Sequence, residues 1–280
     1  MSLQRQSILC PNCRKLISIS ESKCPYCGTA KPGSWFKNNA WTRGIHDPNL
    51  AVKTIIAINV GMYVVSLLLD PGALSLSMDP FTLLSPSFPS LKILGATGLV
   101  PIVDYHRYWT LISANYLHGG ILHIFFNMVA FRQLALIVSR EFGLYRMFAI
   151  YTLSGVFGFW ISYLFGVPWT LGASASVCGL VGAILYYGKS RGGVYGRALY
   201  KQITMWVVFL FIFGFVVPGI NNWGHGGGIL AGIALGFLLG YQEKRRENLF
   251  HKMLAGTCAL MTLGVLVWAV ASAVLYKMMG

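Results

Sequence analysis

Charge is what this sequence has least of. Only 11% of its 280 residues are Asp, Glu, Lys or Arg, where a water-soluble domain carries about 25%. Carboxylates are scarcest, eight in all, and none falls in the long apolar stretches. An intramembrane aspartyl hydrolase needs a pair of membrane aspartates and a zinc hydrolase needs His-Glu-x-x-His; both are missing. Paired intramembrane charges and an inverted repeat, the marks of a transporter, are not visible either. The first 50 residues are polar and hold no apolar segment near Met1, so no secretory signal is expected. What abounds is apolar: 55% hydrophobic residues, with 32 glycines. The fold class is therefore an all-α polytopic membrane protein.

Apolar runs that cross or nearly cross a bilayer are expected at about 51–69, 120–138, 145–165, 173–187, 203–217, 225–241 and 254–275. The fourth and fifth are short for lipid-facing helices, which suits helices enclosed by others or opening on water. The net charge of +14 is topological rather than a nucleic-acid footprint. Eight Lys and Arg precede the first span or begin it. Further clusters follow the second span (Arg140, Arg146), the fourth (Lys189, Arg191, Arg197, Lys201) and the sixth (Lys244, Arg245, Arg246, Lys252). The alternate loops hold Lys92 and Arg107, and the tail Lys277. This places the N-terminus in the cytoplasm and the C-terminus outside a plasma or inner membrane. The outer connection, 70–119, holds five prolines among many apolar residues and is expected to lie in the membrane interface.

Four of the six cysteines lie in the first 30 residues, as Cys10-Pro-Asn-Cys13 and Cys24-Pro-Tyr-Cys27. Two Cys-x2-Cys knuckles match the closed thiolate set of structural Zn2+. A pair of disulfides is the other reading, and a cytoplasmic location disfavours it. The segment resembles a zinc ribbon whose folding free energy would come from the metal. Residues 31–50 read as a basic, aromatic linker. Cys178 and Cys258, in apolar helices, read as small hydrophobes.

The second, fourth and sixth spans all run from outside to inside, and each carries polar groups at its outer head. These are His118, His123 and Asn127; Ser174; and His225. A buried histidine alone is more often a hydrogen-bonded core residue than a catalyst. A buried serine alone more often mediates packing of small residues. Three helices presenting complementary groups at one depth favour chemistry. His225 can serve as the base that makes Ser174 a nucleophile. Asn127, His123 and the Ser174 backbone N–H can supply the donors that an oxyanion needs. With no carboxylate nearby, the unit is a Ser–His dyad. Gly224, Gly228, Gly232, Gly236 and Gly240 recur every fourth residue along the sixth span, and the fourth offers Gly172, Gly179 and Gly182. Small residues let helix backbones approach, so these two helices are expected to touch.

His118-Gly-Gly-Ile-Leu-His123-Ile-Phe-Phe-Asn127, Gly172-Ala-Ser174 and Gly224-His225-Gly-Gly-Gly228 resemble the rhomboid family of intramembrane serine proteases, over roughly 50–250. The resemblance implies a six-helix core, 51–241, and a seventh helix within 242–280. It implies Ser174 as nucleophile, His225 as base, His123 and Asn127 in the oxyanion hole, and His118 in support. The partners implied are substrates with a transmembrane segment and the lipid bilayer, with no nucleic acid and no catalytic cofactor. The alternative is an inactive relative that binds transmembrane segments as an adaptor. Three positions depart from the pattern: Ala175 for the usual Gly, Cys178 for an aromatic that stacks on the histidine, and Trp109-Thr110 for Trp-Arg, with Arg107 displaced.

Overall fold

The computed structural model describes residues 7–11, 15–26, 28–34, 47–71, 83–217 and 219–279. They divide into two units, Met1–Ile55 and Ile56–Gly280.

In the first unit, strands β1 (Ser7–Leu9) and β2 (Leu16–Ser18) form an antiparallel hairpin with Ile8 opposite Ile17. Cys10, Ile17 and Cys24 are buried together, with Ile8 packed against them. The Cys10 N–H donates to Lys15 O at 2.9 Å and the Gly28 N–H to Cys24 O at 2.9 Å, closing a turn after each cysteine. Gly28 has φ +71°, a conformation that glycine adopts without penalty. Cys13 and Cys27 lie outside the described residues, among which no metal-binding group is gathered.

The membrane unit is built from helices. Its long elements are α1 (Pro48–Leu68, which begins in the first unit), α5 (Ile121–Phe142), α6 (Leu144–Leu164), α7 (Ser174–Arg191), α8 (Gly193–Val216), α9 (Asn222–Leu239) and α10 (Leu249–Met279). Five of these, all but α7 and α9, are long and apolar enough to cross a membrane. The remaining two are 18 residues each. The fifth span is not short: α8 runs 24 residues, because the chain stays helical from Gly193 through the basic stretch. Hydropathy registers only its apolar part. Likewise α5 extends to Phe142, so Glu141 falls in its last turn, at the opposite end from His123.

The α7–α9 pair is the most extensive helix contact among the described residues, with α6 against both. The glycines explain how. A Cβ on Gly232 would overlap the Gly179 carbonyl oxygen, and one on Gly182 would overlap the carbonyl of Ile229. A Cβ on Gly158 of α6 would lie 2.6 Å from the Gly224 carbonyl oxygen. Without a hydrophobic force between helices in lipid, such close backbone packing is what holds them. The outward faces of α8 and α10 carry exposed Phe209, Ile212, Phe215, Leu260 and Val267, as lipid contact requires.

The connection after α1, expected to lie in the membrane interface, is not an open loop. Its described part folds into α2 (Phe88–Leu94), α3 (Leu99–Val103), α4 (Thr110–Ser113) and a 3-10 turn at Ala114–Tyr116. Ser87 caps α2, and Gly95 at φ +100° ends it. Leu91, Leu94, Ile102, Ala114, Tyr116 and Leu117 are buried. The Ser113 hydroxyl donates to Gly95 O at 2.9 Å, and Thr97 exchanges backbone bonds with Thr170 at 2.9 and 2.7 Å. The apolar content of this stretch builds a small core tied to the segment that leads into α7.

At the other end of the bundle, Arg146 is fully buried where the α5–α6 turn meets the α9–α10 connection. It donates to Phe142 O at 2.9 Å and to Arg245 O at 2.5 Å, while its N–H bonds Glu247 Oε1 at 2.9 Å.

Candidate active site

Ser174 is the first residue of α7. The chain reaches it through Gly172, at φ +120°, whose N–H donates to Ala114 O at 2.8 Å. A side chain at 172 would be strained and would also fill the space that matters. Its Cβ would lie 2.7 Å from His123 Nε2 and 3.8 Å from Ser174 Oγ. The absent side chain leaves room between a ring nitrogen and the serine hydroxyl.

The protonation of that ring follows from its other nitrogen. His123 Nδ1 accepts the Gly119 N–H at 3.3 Å, so in the neutral ring the proton resides on Nε2. Nε2–H therefore points a donor at the space beside Ser174. One turn on, the Asn127 amide donates to His123 O at 2.9 Å and keeps its second N–H. His118 is fully buried with its ring edge-on to His123, centroids 5.1 Å apart. Neither of its nitrogens has a hydrogen-bond partner among the described residues.

Ser174 and Cys178 share one face of α7, and His225 and Gly228 share one face of α9. A Cβ on Gly228 would overlap Ala175 O and lie 3.1 Å from Cys178 Cβ, so these faces meet. His225 is 6% exposed, and its Nδ1 has no hydrogen-bond partner among the described residues. No carboxylate orients it among the described residues, and no hydrogen bond joins it to Ser174 in this structure. The first-turn N–H groups of α7 lack a side-chain cap and remain available.

Ala175 does not crowd this space. Its methyl packs with Ala114 and Phe159, and lies 3.0 Å from the Cβ position of Gly158, on the α6 side. Thr110, in place of an arginine, turns inward and donates to Thr97 Oγ1 at 2.9 Å. Arg107 reaches Lys92 O at 3.5 Å.

Two supporting groups escape a reading of the sequence. Asn115 Oδ1 accepts the Ser176 hydroxyl at 2.8 Å, in space left by Gly155. With the Ala114–Gly172 bond, the 3-10 turn thus grips the chain two residues before and two after Ser174. Asn221 bonds Ser162 Oγ at 2.7 Å and Thr170 Oγ1 at 2.8 Å. An Asn-Asn pair just before an apolar helix is a helix-start signal, and it marks only the cap.

The fold and site together define a membrane-embedded helical protein with a serine and histidines gathered beneath the short helices that follow α1. Comparison with known proteins agrees: residues 105–242 match the Rhomboid domain, which supports the rhomboid family. The chain is 38% identical over 163 residues to RHOMBOID-like protein 5 of Arabidopsis thaliana, covering 56% of this chain and 52% of that one. It is 32% identical over 164 residues to Rhomboid protease GluP of Bacillus subtilis (strain 168), covering 59% and 32% respectively. It is also 29% identical over 177 residues to Inactive RHOMBOID-like protein 8 of Arabidopsis thaliana, covering 62% and 49%. The chain spans about half the length or less of most of these relatives.

Proposed function

We propose that this chain is an intramembrane serine endopeptidase that cleaves transmembrane segments of membrane-anchored proteins. Ser174 Oγ attacks the peptide carbonyl as His225 takes its proton. The tetrahedral oxyanion is met by His123 Nε2–H, the free Asn127 N–H and the Ser174 backbone N–H. His225 then returns the proton to the leaving amine, and water attacks the acyl-Ser174 ester by the same route. Each donor of this kind contributes about 2.7–4 kcal/mol to lowering the barrier. The observation that carries the reading is the space at Gly172, which lies 2.7 Å from the His123 donor and 3.8 Å from the serine hydroxyl.

The test is cleavage of a single-pass membrane protein co-reconstituted in liposomes with wild type or Ser174→Ala. Product from wild type alone supports the reading; equal product from both contradicts it. The absence of a Ser174–His225 hydrogen bond favours a second reading, an inactive relative that retains transmembrane segments without cutting them. Capture of the same substrate, uncut, by wild type would select it.

The N-terminal segment is proposed to hold one structural Zn2+ through Cys10, Cys13, Cys24 and Cys27, facing the cytoplasm. Burial of Cys10 and Cys24 in one small core, each followed by a closed turn, fits that ligand set. Metal analysis of the purified protein should find about one zinc per chain. No zinc, with four reactive thiols, would remove it.

A further inference from the structure

The head of α9 is held by a side chain that the chemistry above does not use. Asn221 precedes the helix and reaches three separate segments. Its Oδ1 accepts the Gly224 N–H at 3.0 Å, capping α9. Its amide nitrogen donates to Ser162 Oγ of α6 at 2.7 Å and to Thr170 Oγ1 at 2.8 Å. Its own carbonyl accepts the His225 N–H at 3.1 Å. Thr170 stands four residues before Ser174 and is itself fixed by its backbone pair with Thr97.

A carboxamide has two N–H donors and one acceptor oxygen, and Asn221 uses all three. Capping alone would be met by Ser, Thr or Asp. The two donors do something else. They tie the turn that carries His225 to the segment that delivers Ser174 and to the helix behind both. Since the serine and histidine arrive on different helices and are not hydrogen-bonded at rest, their register depends on such a tie. We infer that Asn221 is a positioning residue that sets His225 against Ser174. This rests on the protease reading above.

Serine is as good a cap as asparagine but too short to reach Ser162 and Thr170, so Asn221→Ser separates the two roles. Thr170→Val removes one acceptor at nearly constant shape. The measurement is fluorophosphonate labelling of the full-length protein in detergent, resolved into probe affinity and the first-order labelling step, beside thermal unfolding. Misplacing a reacting group by about 1 Å costs up to about 10²-fold in rate. Asn221→Ser and Thr170→Val should each slow the labelling step about 10-fold or more, with probe affinity and unfolding midpoint close to wild type. The double variant should be no slower than the worse single one, because both act through one link. Labelling of Asn221→Ser at the wild-type rate would overturn the inference, as would slowing only in proportion to protein lost to unfolding. An unlabelled wild type would instead overturn the protease reading itself.

Discussion

Gly172 shows how little material separates a cleft from a filled core. Its φ of +120° and the 2.7 Å between its Cβ position and His123 Nε2 give any substitution two costs. Gly172→Ala should therefore abolish serine-probe labelling while the helices still assemble, as tested by labelling beside circular dichroism. Asn127→Ala should lower kcat about 10-fold or more with a smaller change in KM, since the donor acts mainly in the transition state. Steady-state cleavage kinetics read that split, and an unchanged kcat would exclude Asn127 as a donor. His118, His123, Asn127, Ser174 and His225 were legible as polar groups at helix heads, because hydrocarbon makes such groups costly and conspicuous. Asn115 and Ser176 were not legible. Their bond joins residues 61 apart in sequence, and nothing local distinguishes a serine that bonds across the fold from one that packs.

Among the helices, the α7–α9 contact decides where the two proposed catalytic residues meet. The fourfold glycine spacing announced it, since one face of a helix recurs at that interval. Gly232→Ala would drive a methyl into the Gly179 backbone, which cannot move aside, and should destabilise by about 2 kcal/mol. Gly264→Ala on α10, where a Cβ meets nothing, should instead gain up to about 1 kcal/mol from helix propensity. Unfolding of both variants in one detergent gives the comparison; equal effects would mean that α7 and α9 are not in backbone contact. The length of α8 was less legible. Its first three turns carry Tyr195, Arg197 and Lys201, and a hydropathy pattern ends where the membrane ends rather than where the helix does. The short helices after α1 were not legible for a related reason: apolar residues in a long connection signal burial without saying which of them turn helical.

On the scale of the molecule, the short helices after α1 and the Arg146 junction hold opposite ends of the bundle. Burial pushes the Glu247 carboxyl above the usual carboxylate range, against the opposing pull of the Arg146 N–H and charge. A carboxyl whose pKa is raised on folding contributes stability below its unfolded pKa and loses that contribution as pH rises through the folded one. Glu247→Gln should therefore gain stability relative to wild type as pH is raised from about 4 to about 7. Unfolding midpoints across that range test it, and a constant difference would contradict it. The distribution of Lys and Arg predicts a cytoplasmic N-terminus and an external C-terminus. A phosphatase fused after Gly280 should be active outside, and the same fusion before Met1 inactive.

The central claim is that Ser174 is a nucleophile activated by His225. Its most direct test is labelling of detergent-solubilised protein by a serine-directed fluorophosphonate, comparing wild type with Ser174→Ala, His225→Ala and Ser176→Ala. The account predicts labelling of wild type, none of the first two variants, and retained labelling of Ser176→Ala, whose hydroxyl is already committed to Asn115. Folded wild type that stays unlabelled, or labelling that survives Ser174→Ala, would contradict it.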